Sequence, residues 1–307
     1  MKSKLNKTID FSMDEAGKYL KDAIYEKDLV EPNNKLIIDE TIIGDFFTSI
    51  EFVEDKSIDL LIVDPPYNIR KDYHGNVFNE MSKQKYDVYT RSWLEKVIPK
   101  LKDNASVYIC CDWKSSMVIG PILAEHLIIR NRITWQREKG RGSKMNWKNS
   151  MEDIWYATKS DQYTFNIDQV KIRKKVIAPY KDQGKPKDWE STEKGNFRNT
   201  HPSNFWDDIT IPFWSMPENT AHPTQKPEKL IAKLILASTN VGDVVLDPFM
   251  GSGTTGVVAK KLGRKYIGIE QNPLYVAWGK KRLEDAKKDS SIQGYEDGVF
   301  WDRNSRN

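Results

Sequence analysis

The densest chemistry in this chain lies in Asp64-Pro65-Pro66-Tyr67-Asn68. These residues follow the apolar run 58–63, which is short, rich in β-branched residues and stopped by a proline pair, and so predicts a buried strand. Two prolines fix φ and remove two backbone donors, so the chain leaves the sheet in a rigid, extended elbow. An acid, a fixed carbonyl and an aromatic ring are thereby held at the carboxyl end of a strand, where open α/β sheets bind ligands. A carboxylate and a carbonyl can together accept both hydrogens of one NH2 group, and the ring offers a stacking face to a planar base. The geometry suits an exocyclic amine.

A second stretch, Asp247-Pro248-Phe249-Met250-Gly251-Ser252-Gly253-Thr254-Thr255-Gly256, lies between the apolar run 244–246 and a helical pattern closed by Gly263. A further strand pattern, 266–269, ends on Glu270. Strand, glycine-rich turn, helix, strand and acid make a βαβ nucleotide-binding unit. Residues 251–256 satisfy G-x-G-x-x-G, and Glu270 stands where an acid would reach ribose hydroxyls. No G-K-[ST] follows, so the loop is not a P-loop. A dinucleotide would need a second mononucleotide half, and the fifty or so residues after the loop carry only one strong strand pattern. Asp247 also puts negative charge where a pyrophosphate would lie. That suits a nucleoside with a cationic tail, S-adenosylmethionine, whose ammonium would face the acid and whose ribose diol would face Glu270.

Other elements must hold these two stretches together. Residues 36–43 predict a short strand closed by Gly44-Asp45, where Asp45 either caps the next turn or lines the ligand crevice. Residues 69–84 predict a mobile loop over the site. Residues 85–101 predict an amphipathic helix with Val88, Trp93, Val97 and Leu101 on its apolar face. A buried strand is expected over 105–111 and a helix over 117–127, kinked at Pro121. Strands are expected at 132–136 and 153–158, a helix at 228–239 opened by Pro227, and a last helix at 273–286. The section 171–200 is Gly/Pro-broken and predicts a long loop or small subdomain. The domain plan is an N-terminal arm (1–34), a catalytic half (35–128), a target-recognition region (129–221), a cofactor-binding half (222–286) and a peripheral tail (287–307).

Composition narrows the class. With 38% hydrophobic and 30% charged residues over 307 positions, the chain can bury a substantial core. No apolar run reaches 18 residues and the N-terminus is polar, so neither a membrane span nor a signal peptide is expected. Cys110 and Cys111 are adjacent and would point to opposite faces of a strand, which reads as core thiols in a reducing, cytoplasmic setting. The four histidines are scattered and predict no metal site. The net charge of +4 is unevenly spread, since residues 130–198 hold 17 Lys/Arg against 9 Asp/Glu. A basic block on a near-neutral body is the footprint of a polyanion partner. Candidate phosphate contacts are Arg137, Lys139, Arg141, Lys144, Lys148, Arg173, Lys174 and Lys175. Six of the ten tryptophans fall in 129–221, and aromatics among cations suit nucleic-acid contact.

Asp-Pro-Pro-Tyr followed by Asp-Pro-Phe-x-Gly-Ser-Gly-Thr-Thr resembles the DNA amino-methyltransferases of restriction–modification systems, in their β arrangement. There the catalytic tetrapeptide precedes the cofactor loop and target recognition lies between them, as here. Thr224-Gln225-Lys226-Pro227 also resembles the family's segment for the methionine end of the cofactor. The resemblance covers residues 35–286. It implies a Rossmann-like S-adenosylmethionine-dependent methyltransferase fold, a mostly parallel twisted sheet with helices on both faces, plus an inserted recognition region. It implies catalysis by Asp64, Pro65, Pro66 and Tyr67. The cofactor would be held by Asp45, Thr224, Gln225, Lys226, Asp247, Phe249, Gly251, Ser252, Gly253, Thr254 and Glu270. His222, just outside the matched segment, would cap the turn.

The expected reaction is transfer of a methyl group to the N6 amine of a flipped-out adenine in double-stranded DNA, without a metal, by a monomer or homodimer with a cognate restriction endonuclease as companion. The nearest rival is cytosine-N4 methylation; resemblance favours adenine because N4 enzymes more often carry Ser in place of Asp64. RNA or protein-glutamine methylation is more distant, since those families more often place Asn there. A nicotinamide oxidoreductase would explain the glycine loop but leave Asp64 to Asn68 without a role. A non-catalytic nucleic-acid-binding protein would explain neither motif.

Overall fold

A computed structural model describes residues 3–29, 37–137, 144–176, 181–183, 185–186 and 188–303. Its centre is a nine-stranded sheet. The strands are β1 (Ile24–Tyr25), β2 (Glu40–Ile43), β3 (Ile58–Val63), β4 (Leu101–Cys111), β5 (Ile128–Gln136), β6 (Met151–Thr158), β7 (Phe205–Trp206), β8 (Val244–Asp247) and β9 (Lys265–Glu270). Their order across the sheet is β1-β2-β9-β8-β3-β4-β6-β5-β7. Only β6 runs against its neighbours; every other pairing is parallel. β3 and β8 are hydrogen-bonded neighbours, with Leu60 opposite Val245 and Leu61 opposite Leu246. That pairing puts the carboxyl ends bearing Asp64 and Asp247 side by side.

The two sheet faces bury two separate apolar cores. Leu60, Ile62, Tyr108, Cys110 and Val245 face one, and Leu61, Val63, Val107, Ile109, Cys111 and Leu246 face the other. The strict alternation follows from the period of two along a strand, and it sends the two free, buried cysteines to opposite sides as expected. Helices α3 (Lys83–Val97) and α4 (Trp113–His126) lie among the second core, and α5 (Glu228–Ser238) and α6 (Thr254–Lys261) among the first. Pro121 lies inside α4 without ending it. In α3 the buried side chains are Tyr86, Thr90, Trp93, Leu94 and Val97, while Val88 is exposed, so the apolar face is rotated from the expected one.

All eleven residues of α5 are buried, Lys229 and Lys233 included. The reason is a second sheet of five strands in the order Glu190–Thr192, Gly195–Thr200, Ile172–Lys175, Val299–Trp301, Tyr295–Glu296. The section 171–200 is thus a small subdomain. Val299–Trp301 pairs parallel with Ile172–Lys175, and Phe300 is fully buried in the first core. The expectation of a peripheral tail is corrected: the tail completes the second sheet, because Val299-Phe300-Trp301 supplies apolar side chains to a face that the insert leaves open. The N-terminal stretch is also more than an arm. It supplies edge strand β1, bridges Ile9 to Thr220, and packs α1 (Met13–Leu20) on α7 (Pro273–Ala286). No helix among the described residues is long and apolar enough to cross a membrane.

Candidate active site

The elbow after β3 is pinned from three directions. Tyr86 Oη donates to the Pro66 carbonyl at 3.0 Å. Asn68 exchanges hydrogen bonds with the Met81 backbone at 2.7 and 2.9 Å. The Asn68 amide donates to Ser115 Oγ at 3.1 Å. Of the two proline carbonyls, Pro66's is therefore engaged by α3. Residues 69–84 fold into a hairpin, Lys71–Tyr73 with Asn76–Phe78. Its tip residue His74 adopts φ +54° and places Nδ1 2.7 Å from Tyr275 Oη on α7.

Asp64, Pro65, Pro66 and Tyr67 line a cavity of about 360 Å³ together with Asp45, Tyr73, Glu152, Thr224, Lys226, Phe249, Gly251 and Glu270. Strand, elbow, hairpin and glycine loop thus open into one space. The glycine loop needs its glycines in two places. Gly253 has φ +81°, and a Cβ there would come within 3.0 Å of Gly279 Cα, so α7 packs directly on the loop backbone. Gly251 has φ +53° and lies under the His222 ring, 3.1 Å from where its Cβ would be.

Glu270 ends β9 with its carboxylate accepting from the Gly251 amide at 2.9 Å and the Asn272 amide at 2.8 Å. Asp247 is buried, and its oxygens accept from the Phe249 amide at 3.1 Å and the Thr255 hydroxyl at 2.5 Å. Burial pushes both carboxyl groups up to about 7. Phe249 stacks on Phe46 with ring centroids 5.3 Å apart. Thr254 Oγ1 donates to the Lys226 carbonyl at 3.1 Å and accepts from Arg282, which also holds the Ser252 carbonyl. Asp247, Ser252 and Thr254 line a small cavity of about 30 Å³, which Asp64 and Lys226 also border. Ser252 and Gly253 shape the loop and do not line the larger cavity. Asp45 does both things its sequence position allowed: it caps α2 (Phe46–Ser49) through Phe47 N at 2.8 Å, and it lines the larger cavity.

Thr224, Gln225 and Lys226 part company. Thr224 lines the larger cavity. Gln225 spends its side chain on the Thr220 amide and hydroxyl and on the Glu218 carbonyl, at 2.7 to 2.9 Å, so it braces the turn. Lys226 reaches the elbow instead, with Nζ 2.6 Å from Asp64 Oδ2, 3.1 Å from Tyr67 Oη and 3.4 Å from Glu152 Oε2. Burial acts to lower this ammonium's pKa, but Asp64 and Glu152 outweigh it and hold the group charged. His222 is more than a turn cap. Burial and the nearby Lys226 cation push it down to about 3, so a neutral imidazole faces Gly251 and, at 4.4 Å, the Tyr275 ring.

Sequence reasoning missed Glu152. It enters from β6, the reversed strand, and is buried. Burial opposes its charge, but Lys226 and Arg137 prevail and keep it below the usual carboxylate range. No motif marks it, because a lone acid in an alternating strand reads as surface. Its partner Arg137 donates to Glu152 Oε1 at 2.5 Å. Arg137, expected as a phosphate contact, thus lies in the cavity wall beside Glu152.

Arg173, another expected phosphate contact, is engaged within the protein. It is largely buried, pairs with Glu190 and lies over the Phe197 and Trp301 rings, holding the second sheet together. Lys144 and Lys148 are exposed, Lys175 is exposed and Lys174 half-buried; Lys139 and Arg141 lie outside the described residues. Of the recognition-region tryptophans, Trp135 and Trp206 are core, whereas Trp147 is 93% exposed. No cluster of potential metal ligands occurs among the described residues.

Residues 58–281 match the family model described as DNA methylase, which covers N6 and N4 methyltransferases. The chain is similar to the type II methyltransferase M.HpaI of Haemophilus parainfluenzae, 35% identical over 251 residues that cover 81% of this chain and 73% of the relative. It is equally similar to the DNA adenine methyltransferase YhdJ of Escherichia coli (strain K12), 35% over 260 residues, covering 80% and 83%. Among solved structures, that of the M1.HpyAVI–SAM complex superposes with a TM-score of 0.52 at 26% identity over 78% of this chain and 98% of its own. PvuII DNA methyltransferase, cytosine-N4-specific, shares the fold at a TM-score of 0.58 and 20% identity over 82% and 92%. The fold is therefore that of the S-adenosylmethionine-dependent methyltransferases. A match of this extent, with relatives this similar over about four-fifths of the sequence, makes the chain a member of the DNA methylase family.

Proposed function

We propose that this enzyme transfers a methyl group from S-adenosylmethionine to the N6 amine of an adenine flipped out of double-stranded DNA. The observation that carries the reading is the opening of the Asp64–Tyr67 elbow, the glycine loop at Phe249 and Gly251, and the strand-end acid Glu270 into one cavity. Its residues suit the cofactor: Glu270 and Asp45 border the nucleoside end, Phe249 offers an aromatic wall, and a Gly251 side chain would fill space against His222. When bound, the cofactor supplies an electrophilic methyl on a sulfonium.

The protein's own part is positioning. Asp64 and the Pro65 carbonyl accept the two N–H bonds of the target amine, which draws its lone pair out of ring conjugation and aims it at the methyl. Tyr67 stacks on the base and offsets part of the unpairing cost of a few kcal/mol. Placement and electrostatics supply most of the rate, and Asp64 need not take a proton before transfer. Adenine is favoured over cytosine by the acid at position 64 and by the adenine-specific relative.

Restriction–modification context, with a cognate endonuclease, is supported by the type II relatives. The test is to incubate the protein with labelled S-adenosylmethionine and mixed-sequence duplex DNA, digest, and identify the labelled nucleoside. N6-methyladenine is expected. N4-methylcytosine would overturn the target, and label on RNA or protein alone would overturn the substrate class.

A further inference from the structure

Tyr67 carries one phenolic proton and faces two carboxylates. Its Oη is 2.8 Å from Asp64 Oδ1 and 3.1 Å from Glu152 Oε2, and it also accepts from Lys226 at 3.1 Å. Asp64 Oδ2 is held by Lys226 at 2.6 Å. Both oxygens of the acid that should receive the target amine therefore already have donors, and the phenol sits on Oδ1 as a stand-in for the amine N–H. A carboxylate oxygen can accept more than one hydrogen bond, but an arriving amine needs the space and direction that this phenol fills.

We propose that Glu152 is a positioning residue that takes the Tyr67 hydroxyl off Asp64 when the target amine enters. This deepens the adenine-methylation reading and rests on it. Three features equip Glu152 for the task. It is buried, so its hydrogen bonds are not contested by water. Its Oε1 is fixed by Arg137 at 2.5 Å, which leaves Oε2 turned toward Tyr67. Lys226, 3.4 Å from Oε2, lies between the two acids and stays balanced whichever one the phenol favours. The hand-off moves a hydrogen bond and no charge: the phenol keeps its proton, whose ionisation is opposed by burial and by Asp64 and Glu152 together.

The test uses Glu152→Gln, Tyr67→Phe and the double variant on a duplex whose site has been read from methylation mapping. In Glu152→Gln the Arg137 guanidinium claims the amide oxygen and turns the NH2 toward Tyr67, so the phenol stays on Asp64. Expected is a loss of at least tenfold in kcat/KM for DNA, with S-adenosylmethionine affinity within twofold of wild type. The double variant should recover to the level of Tyr67→Phe alone, because the trapped hydroxyl is gone. A second readout needs no turnover. Measured against purine, which lacks the amine and unpairs more easily, adenine at the target should gain more affinity in wild type than in Glu152→Gln, and this added preference is the readout. Glu152→Gln should lose that preference and the double variant regain it.

Glu152→Asp, whose shorter chain cannot reach Tyr67, repeats the test if the amide variant does not fold, and should behave as Glu152→Gln does. Wild-type activity in Glu152→Gln, or in Glu152→Asp where that variant is used, or a loss that Tyr67→Phe does not relieve, would overturn the hand-off. A wild type inert on all DNA would overturn the functional reading, and the hand-off with it.

Discussion

Asp64 and Tyr67 owe their position to two prolines but their electrostatic state to groups from distant parts of the chain. Lys226 comes from the turn before α5 and Glu152 from the reversed strand. Asp247 shows the opposite pattern, with its hydrogen bonds coming from the loop and helix that follow its own strand, while Glu270 combines a local donor, the Asn272 amide, with the Gly251 amide from the loop after β8. Because burial raises both to about 7, each holds its proton more tightly folded than unfolded. The contribution of these two groups to the stability of the ligand-free protein should thus be full below the ordinary carboxylate pKa of about 4 and be lost as pH rises through about 7. A ribose diol donating to Glu270 favours the ionised form. Cofactor affinity should rise between pH 6 and 8 with net proton release, which calorimetry in two buffers of different ionisation heat would read. A pH-independent affinity would contradict this. At Gly253, Ala would combine positive φ with a contact on Gly279, costing about 1–3 kcal/mol in a denaturant melt.

At the scale of elements, the site depends on β3 and β8 being neighbours. Both strands were legible from their apolar runs, as were α7 to the residue and the glycine loop from its pattern. The lid was not. Residues 69–84 lack alternation strong enough to announce a hairpin, and the His74–Tyr275 contact joins residues 201 positions apart. Glu152 was hidden for the same reason, since β6 shows its burial only once β4 and β5 flank it. Arg173 illustrates the reverse case. Its charge suggested DNA, but a tail strand covers it, and the exposure of a cation is a tertiary property. Arg173→Ala should lower stability by roughly 1–3 kcal/mol, measured by thermal or urea unfolding, while leaving the salt dependence of DNA binding unchanged.

At the scale of the molecule, 17 of the 48 Lys/Arg fall in residues 130–198, and several now have structural work: Arg130 with Asp161, Arg137 with Glu152 and Arg173 with Glu190. The cations left facing water are the better candidates for phosphates. Replacing Lys144 and Lys148 together by Ala should weaken binding to all duplexes alike and reduce the slope of log K against log salt by about 2. An unchanged slope would move the DNA path elsewhere.

The central claim is that Asp64 serves the amine and the glycine loop serves the cofactor within one cavity. The most direct test measures both for wild type and Asp64→Ala side by side, with nucleoside mass spectrometry of treated duplex DNA and calorimetry with S-adenosylmethionine. The account predicts N6-methyladenine from wild type, a loss of about 10²-fold or more in transfer for Asp64→Ala, and cofactor affinity within a few-fold of wild type. Transfer that survives the substitution, or cofactor binding that disappears with it, would contradict the division of labour between the two ends of the site.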